Sequence, residues 1–179
     1  MRIITDGNKL YILVEGPDDE RFFERLIPLL REKYSEIKIV KYAQTKEKNI
    51  DNLLKSIKGT GAKYVYMVDL NDSPCIRGKK SKIKCKLKNI DEKRIIVVRR
   101  EIESWYIAGL DKDGRKRLKI KCSSSTDNIS KEQFNNLIPR KFADSRINFM
   151  IEILNSFSIS AAKNNNTSFS YFLKKLSNL

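Results

Sequence analysis

Short apolar runs alternate with amphipathic stretches along the first part of the chain, and the two periods predict an ordered series of strands and helices. Tyr11 to Val14 reads as a buried strand, and Phe22, Phe23, Leu26, Ile27 and Leu30 then recur at helical spacing, predicting a helix over Asp18 to Lys33. A weaker strand follows at Ile37 to Val40, and a short helix over Asn49 to Ile57 is closed by Gly59-Thr-Gly61. Tyr64 to Val68 and Arg94 to Val98 are the third and fourth strands. Helical connectors of this length imply parallel crossovers, so the expected fold is α/β with a mainly parallel, doubly wound sheet flanked by helices.

After Leu110 the pattern becomes helical. Lys131 to Ile138, Arg146 to Ser156 and Ser168 to Leu179 suit helices, with Ile147, Met150, Ile151 and Leu154 marking a buried face. Asp111-Lys-Asp-Gly114 is turn-like and Cys122 to Asp127 is a polar loop. The expected organisation is therefore an α/β core over residues 1–110 and a helical C-terminal region over 111–179 packed on it.

Two strands end in carboxylates. Glu15 directly follows Tyr11 to Val14, and Asp69 directly follows Tyr64 to Val68. Open α/β sheets place their ligands at the carboxyl ends of their strands. Like charges brought to one edge are costly unless a cation neutralises them. Asp18, Asp19 and Glu20 also suit a helix start, as cap or dipole partners, and for Asp19 alone that structural role is favoured.

Charge adds to this picture. The 179 residues carry 37 Lys and Arg against 22 Asp and Glu, a net +15, which points to a polyanionic partner such as nucleic acid or an acidic membrane surface. An AT-rich genome would enrich Lys, Ile and Asn, but it would not create an excess of base over acid. Lys80, Lys82, Lys84, Lys86 and Lys88 alternate with other residues, so this run is either an extended segment with a basic face or a lysine-rich helix. It serves either as a solvated, pairing-resistant edge or, with Arg99 and Arg100, as a wall for a phosphodiester backbone. Arg115 to Lys121 repeats the alternation.

No apolar stretch is long enough to cross a bilayer, and Asp6 and Lys9 interrupt any signal-peptide core, so a cytoplasmic protein without membrane contact is expected. Cys75, Cys85 and Cys122 are odd in number and widely spaced, and the chain has no His. This suggests neither a disulfide framework nor a zinc site, and it removes His-based catalysis.

Val14-Glu15-Gly16-x-x-Asp19, with Tyr64-Val-Tyr-Met-Val-Asp69-Leu-Asn71-Asp72 at a later strand end, resembles the Toprim domain, the metal-dependent phosphoryl-transfer module of topoisomerases, primases and the overcoming-lysogenization-defect (OLD) nucleases. Val98-Arg-Arg-Glu101-Ile-Glu103-Ser-Trp105, with the pattern from Phe157 to Phe172, narrows the resemblance to small stand-alone Toprim proteins related to the OLD nucleases, found among mobile-element and antiviral defence components. Trp105 reads equally well as the anchor of a helix against the sheet.

The resemblance implies a nuclease dependent on Mg2+ or Mn2+. Asp69, with Asn71 or Asp72, would hold the metal, while Glu15 would be a further ligand or the general base. Asp19 would complete the first motif, Lys80 or a neighbour between Lys79 and Lys84 would stabilise transition-state charge, and Glu103 would compensate a weakened second motif. The weakness is Asn71, which stands where Toprim proteins usually carry the second Asp of Asp-x-Asp; it offers a carbonyl oxygen but no charge. The alternative is a catalytically weak or inactive Toprim protein that binds nucleic acid or a partner. Nucleotidyl transfer is a further rival, although neither a topoisomerase tyrosine domain nor primase zinc and helicase-contact regions are visible. OLD nucleases couple a Toprim domain to an ATPase, and this chain has no Gly-x-x-x-x-Gly-Lys-Ser/Thr loop, so an ATPase would be a separate subunit.

Overall fold

The computed structural model describes residues 8–71 and 73–179. These form two compact units divided between Val97 and Val98, whereas the hydrophobic pattern suggests a division after Leu110. Asp72 lies outside the described residues.

The first unit is built on strands β1 (Lys9–Val14), β2 (Glu36–Lys41), β3 (Lys63–Asp69) and β4 (Ile95–Val98), in the sheet order β2-β1-β3-β4. Tyr11 of β1 pairs in parallel with Lys38 of β2 and Tyr64 of β3. Helix α1 (Pro17–Leu30) joins β1 to β2, α2 (Glu47–Gly59) joins β2 to β3, and α3 (Ile76–Lys86) joins β3 to β4. The expected α/β class with helices flanking a parallel sheet is the architecture observed.

The order of the strands fixes where the helices go. The β1–β2 connection moves one way across the sheet, and the next two move the other way. Right-handed crossovers therefore put α1 on one face and α2 and α3 on the opposite face. Packing agrees, because Ile50, Leu54 and Ile57 of α2 and Ile83 of α3 share a core with Leu13, Tyr64 and Tyr66. The connections after the neighbouring strands β1 and β3 thus leave on opposite sides, which opens a crevice at their carboxyl ends.

Local chemistry sets the helix ends. Pro17 opens α1, where its missing N–H costs nothing, and Phe22, Phe23 and Leu26 are buried. Helix α2 ends before Gly61, whose φ of +73° suits the left-handed position that stops a helix. The lysine-rich run forms a helix. Ile83 in the helix and Leu87 just past its end are both buried while Cys85 between them is exposed, which breaks the period-two alternation.

The second unit is helical: α4 (Glu103–Ala108), α5 (Lys112–Leu118), α6 (Lys131–Asn136), α7 (Arg146–Asn155), α8 (Ile159–Asn165) and α9 (Thr167–Ser177). The turn-like Asp111-Lys-Asp-Gly114 is the start of α5, where Asp111 Oδ1 accepts the Gly114 N–H at 2.8 Å. Trp105 is fully buried, donates from Nε1 to Ser168 Oγ at 2.8 Å and meets Phe169 edge-on, so the contacts seen for it join α4 to α9 within this unit. Buried Asn166 ties this unit together, with its Nδ2 donating to Ser104 and Thr126 and its Oδ1 accepting from the Ser168 hydroxyl.

The buried face expected for α7 requires correction. Met150 and Leu154 are buried, but Ile147 and Ile151 are 50% and 43% exposed, and Phe149 and Ile153 take the interior positions. The helix carries two overlapping apolar stripes, and packing of Phe149 against Phe134, with centroids 5.3 Å apart, selects the one with the larger ring.

Gly109 is required by packing alone. Its φ is −73°, open to any residue, yet an added Cβ would stand 2.0 Å from Phe157 Cδ2. Gly109→Ala is expected to destabilise the chain by about 1–3 kcal/mol through overpacking, measurable by urea denaturation.

Candidate active site at the carboxyl edge of the sheet

Three strands deliver their following residues to one cavity of about 510 Å³ in the first unit. Glu15 follows β1, Tyr42 follows β2 and Asn71 follows β3, and all three line it. Its other wall comes from α3, through Lys79, Lys82 and Lys86. These lysines are three and four residues apart, so they form one stripe along the helix. Glu47 of α2 accepts a hydrogen bond from Lys86 at 2.8 Å. Lys79 and Lys82 have no ion-pair partner among the described residues.

The charge on α3 is poorly placed for helix stability. Its first turn has no acidic residue, and Arg77, Lys79 and Lys80 add positive charge to the positive end of the helix dipole. An anion in the adjoining cavity would relieve that repulsion.

Two tyrosines form the cavity's aromatic wall. Tyr42 and Tyr66 stack with centroids 4.5 Å apart and planes 18° from parallel, and the Tyr42 hydroxyl donates to the Met67 carbonyl at 2.7 Å. Burial pushes the Tyr66 hydroxyl up to about 12, with the charge of Glu15 adding to the rise. Burial raises Tyr42 more strongly, and there Tyr66, Glu15 and Asp19 all contribute. Both phenols therefore stay protonated at neutral pH.

The residues expected to act together are distributed as follows. Because β1 and β3 are parallel neighbours, Glu15 and Asp69 emerge at the same edge. Tyr64, Tyr66 and Val68 face α2 and α3, so strand alternation aims Asp69, with one carboxylate oxygen buried, to the α1 side of that edge. Asp19 is 6% exposed, and its Oδ2 accepts the Gly16 N–H at 3.1 Å, which is the capping role considered for it. Asn71 has a φ of +47°, a left-handed turn position that Asn tolerates well, which gives it a backbone role beside any ligand role. The Lys80 ammonium reaches the Glu92 carbonyl at 3.4 Å, and Lys79, Lys82 and Lys86 are the lysines at the cavity. Glu103 belongs to the second unit, where Arg146 donates to its Oε1 at 2.6 Å and burial raises its carboxyl pKa.

Sequence reading singled out neither Tyr42, Tyr66 nor Glu47. For Tyr42 a signal exists, since it stands just past the second strand as Glu15 does past the first. Tyr66 is indistinguishable in sequence from any core aromatic.

Among the described residues no three His, Cys, Asp or Glu side chains form a group that could hold a metal ion. The donors at the edge, Glu15, Asp69 and Asn71, are all oxygen ligands. Mg2+ retains several waters and is commonly held by one or two carboxylates together with substrate phosphates, so this set fits Mg2+ in kind while offering no closed protein cage. Among the described residues, no helix is long and apolar enough to cross a membrane.

Comparison with known proteins finds no matching family model and no matching curated protein. Among solved structures the chain is similar to the C-terminal region of the Xanthomonas campestris pv. campestris OLD protein, at 13% identity and a TM-score of 0.49, covering 99% of this chain and 96% of that one.

Proposed function

We propose that this chain is a Toprim-type nuclease of the OLD kind, hydrolysing phosphodiester bonds with Mg2+ or Mn2+. The observation that carries this reading is the joining, in one cavity at the carboxyl edge of a parallel sheet, of Glu15 from the Toprim-like first motif with the lysine stripe of α3. A role in mobile-element or antiviral defence, with a separate ATPase as partner, follows from the sequence resemblance alone.

In this scheme Lys79 and Lys82 hold phosphate oxygens and position the backbone along α3. Asp69 and Asn71 supply oxygen donors to the ion, and Glu15 either shares it or accepts the proton of the attacking water. When bound, the ion supplies Lewis acidity to a phosphate oxygen and lowers the pKa of a water. Asp19 holds the Gly16 turn, and so fixes where Glu15 leaves β1.

A second reading is favoured by one observation: no acidic trio gathers among the described residues, and Asn71 brings no charge. On that reading the same cavity binds nucleic acid without cutting it. One experiment separates the two. The intact chain is incubated with DNA and RNA in Mg2+, Mn2+ or EDTA, beside Asp69→Ala. Cleavage that needs the metal and falls at least about tenfold in Asp69→Ala supports the nuclease. Binding without cleavage in any metal supports the binder.

A further inference from the structure

We infer that the cavity is a pocket for one unstacked nucleotide, so that the site takes single-stranded nucleic acid or a frayed end in preference to continuous duplex. This rests on the reading of the site as a nucleic-acid site and adds its substrate class.

The cavity has two kinds of lining. A surface that only tracks a phosphodiester backbone needs cations and little else. This cavity has the cations, but it also has an organised apolar wall formed by Tyr42, Tyr66, Ile50 and Val68. At about 510 Å³ it falls within the ~300–1,000 Å³ span of clefts that enclose small ligands, more than a passing phosphate requires.

The aromatic wall is held in advance. Tyr66 is 6% exposed and backs Tyr42, which is half-buried and pinned by its hydrogen bond to the Met67 carbonyl. A ring fixed in this way loses little freedom when a base packs on it, and base–aromatic contact is the usual means by which proteins hold single strands without reading sequence. Lys79 and Lys82 stand across the same cavity, free of ion pairs among the described residues. A nucleotide with its base on Tyr42 and its phosphate towards α3 would use both walls at once. A base stacked within a duplex could not enter.

The test uses the full chain in EDTA, where cleavage is suppressed, and fluorescence anisotropy of three probes: a short single strand, the same strand with abasic sites, and its duplex. The intact single strand should bind about tenfold more tightly than the abasic strand, and Tyr42→Leu should remove that difference. Lys79→Gln with Lys82→Gln should weaken all three probes. Equal binding of intact and abasic strands by the native chain would overturn the nucleotide pocket, a result that depends on no variant folding. If the lysine substitutions still weakened binding in that case, the nucleic-acid site itself would stand. If no probe bound at low salt, both readings would fall.

Discussion

Glu15→Ala is expected to reduce metal-dependent cleavage by about a hundredfold or more while raising affinity for nucleic acid about two- to tenfold. The two effects have opposite signs because Glu15 faces two ways. As a proton acceptor or ion ligand it serves the reaction, and its loss removes that function. As an anion in the cavity lined by Lys79, Lys82 and Lys86, it opposes an incoming phosphate when no metal is bound. The affinity gain should therefore appear in EDTA and shrink as salt screens the charges. Anisotropy binding and a gel-based cleavage assay on the same preparations measure the two quantities. If affinity and cleavage fell together, Glu15 would be a structural support of the β1 end, and the catalytic role would pass to Asp69.

The strands were legible because each is an apolar run with a sharp end. β1, β3 and β4 are buried almost throughout, while β2 is only half-buried and its pattern is correspondingly weaker. Their parallel order then places Glu15 and Asp69 at one edge without further information. The faces of the site were harder to read. Lysines at every second position from Lys80 to Lys88 fit an extended segment as well as a helix, and so do buried Ile83 and Leu87; what separates the two is Cys85, which a strand would turn inward with them and which is exposed. Once the helix is known, its cavity-facing stripe is Lys79, Lys82 and Lys86, which an every-second-residue reading divides between faces. Asp19 shows a limit of another kind, since a capping carboxylate and a site carboxylate occupy the same position in sequence, and the Gly16 hydrogen bond shows that it caps.

Chemistry in the second unit was less visible, because its elements are short and its organising contacts join distant residues. The pairing of Glu103 with Arg146 spans 43 positions. Arg146→Ala is expected to destabilise the second unit by about 3 kcal/mol near neutral pH and by less in acid. The carboxyl of Glu103 is 3% exposed, and Arg146 donates to it at 2.6 Å while its guanidinium also lies over the Phe134 ring and its Nε donates to Asn135. The Arg146 side chain is 24% exposed, which places the cost at the lower end for a broken buried pair. Burial holds the Glu103 carboxyl above its ordinary pKa, with the charge of Arg146 pulling it partly back. A carboxyl whose folded pKa is raised binds its proton more tightly when folded. Its ionisation therefore removes stability as pH rises from the unfolded pKa through the folded one, and no penalty remains below the unfolded value. Removing Arg146 takes away the influence that lowers this pKa, so the penalised window extends further upward and the neutral-pH cost grows. Trp105, the single tryptophan of the chain, is buried in the second unit and reports its unfolding by fluorescence. Urea denaturation at pH 7 and near pH 4 should show the gap between native chain and variant narrowing in acid. In a Glu103→Gln background, Arg146→Ala should cost markedly less at pH 7, because no buried carboxylate is left without its partner. A gap that stayed the same at both pH values, and in both backgrounds, would assign the effect of Arg146 to its packing on Phe134 alone.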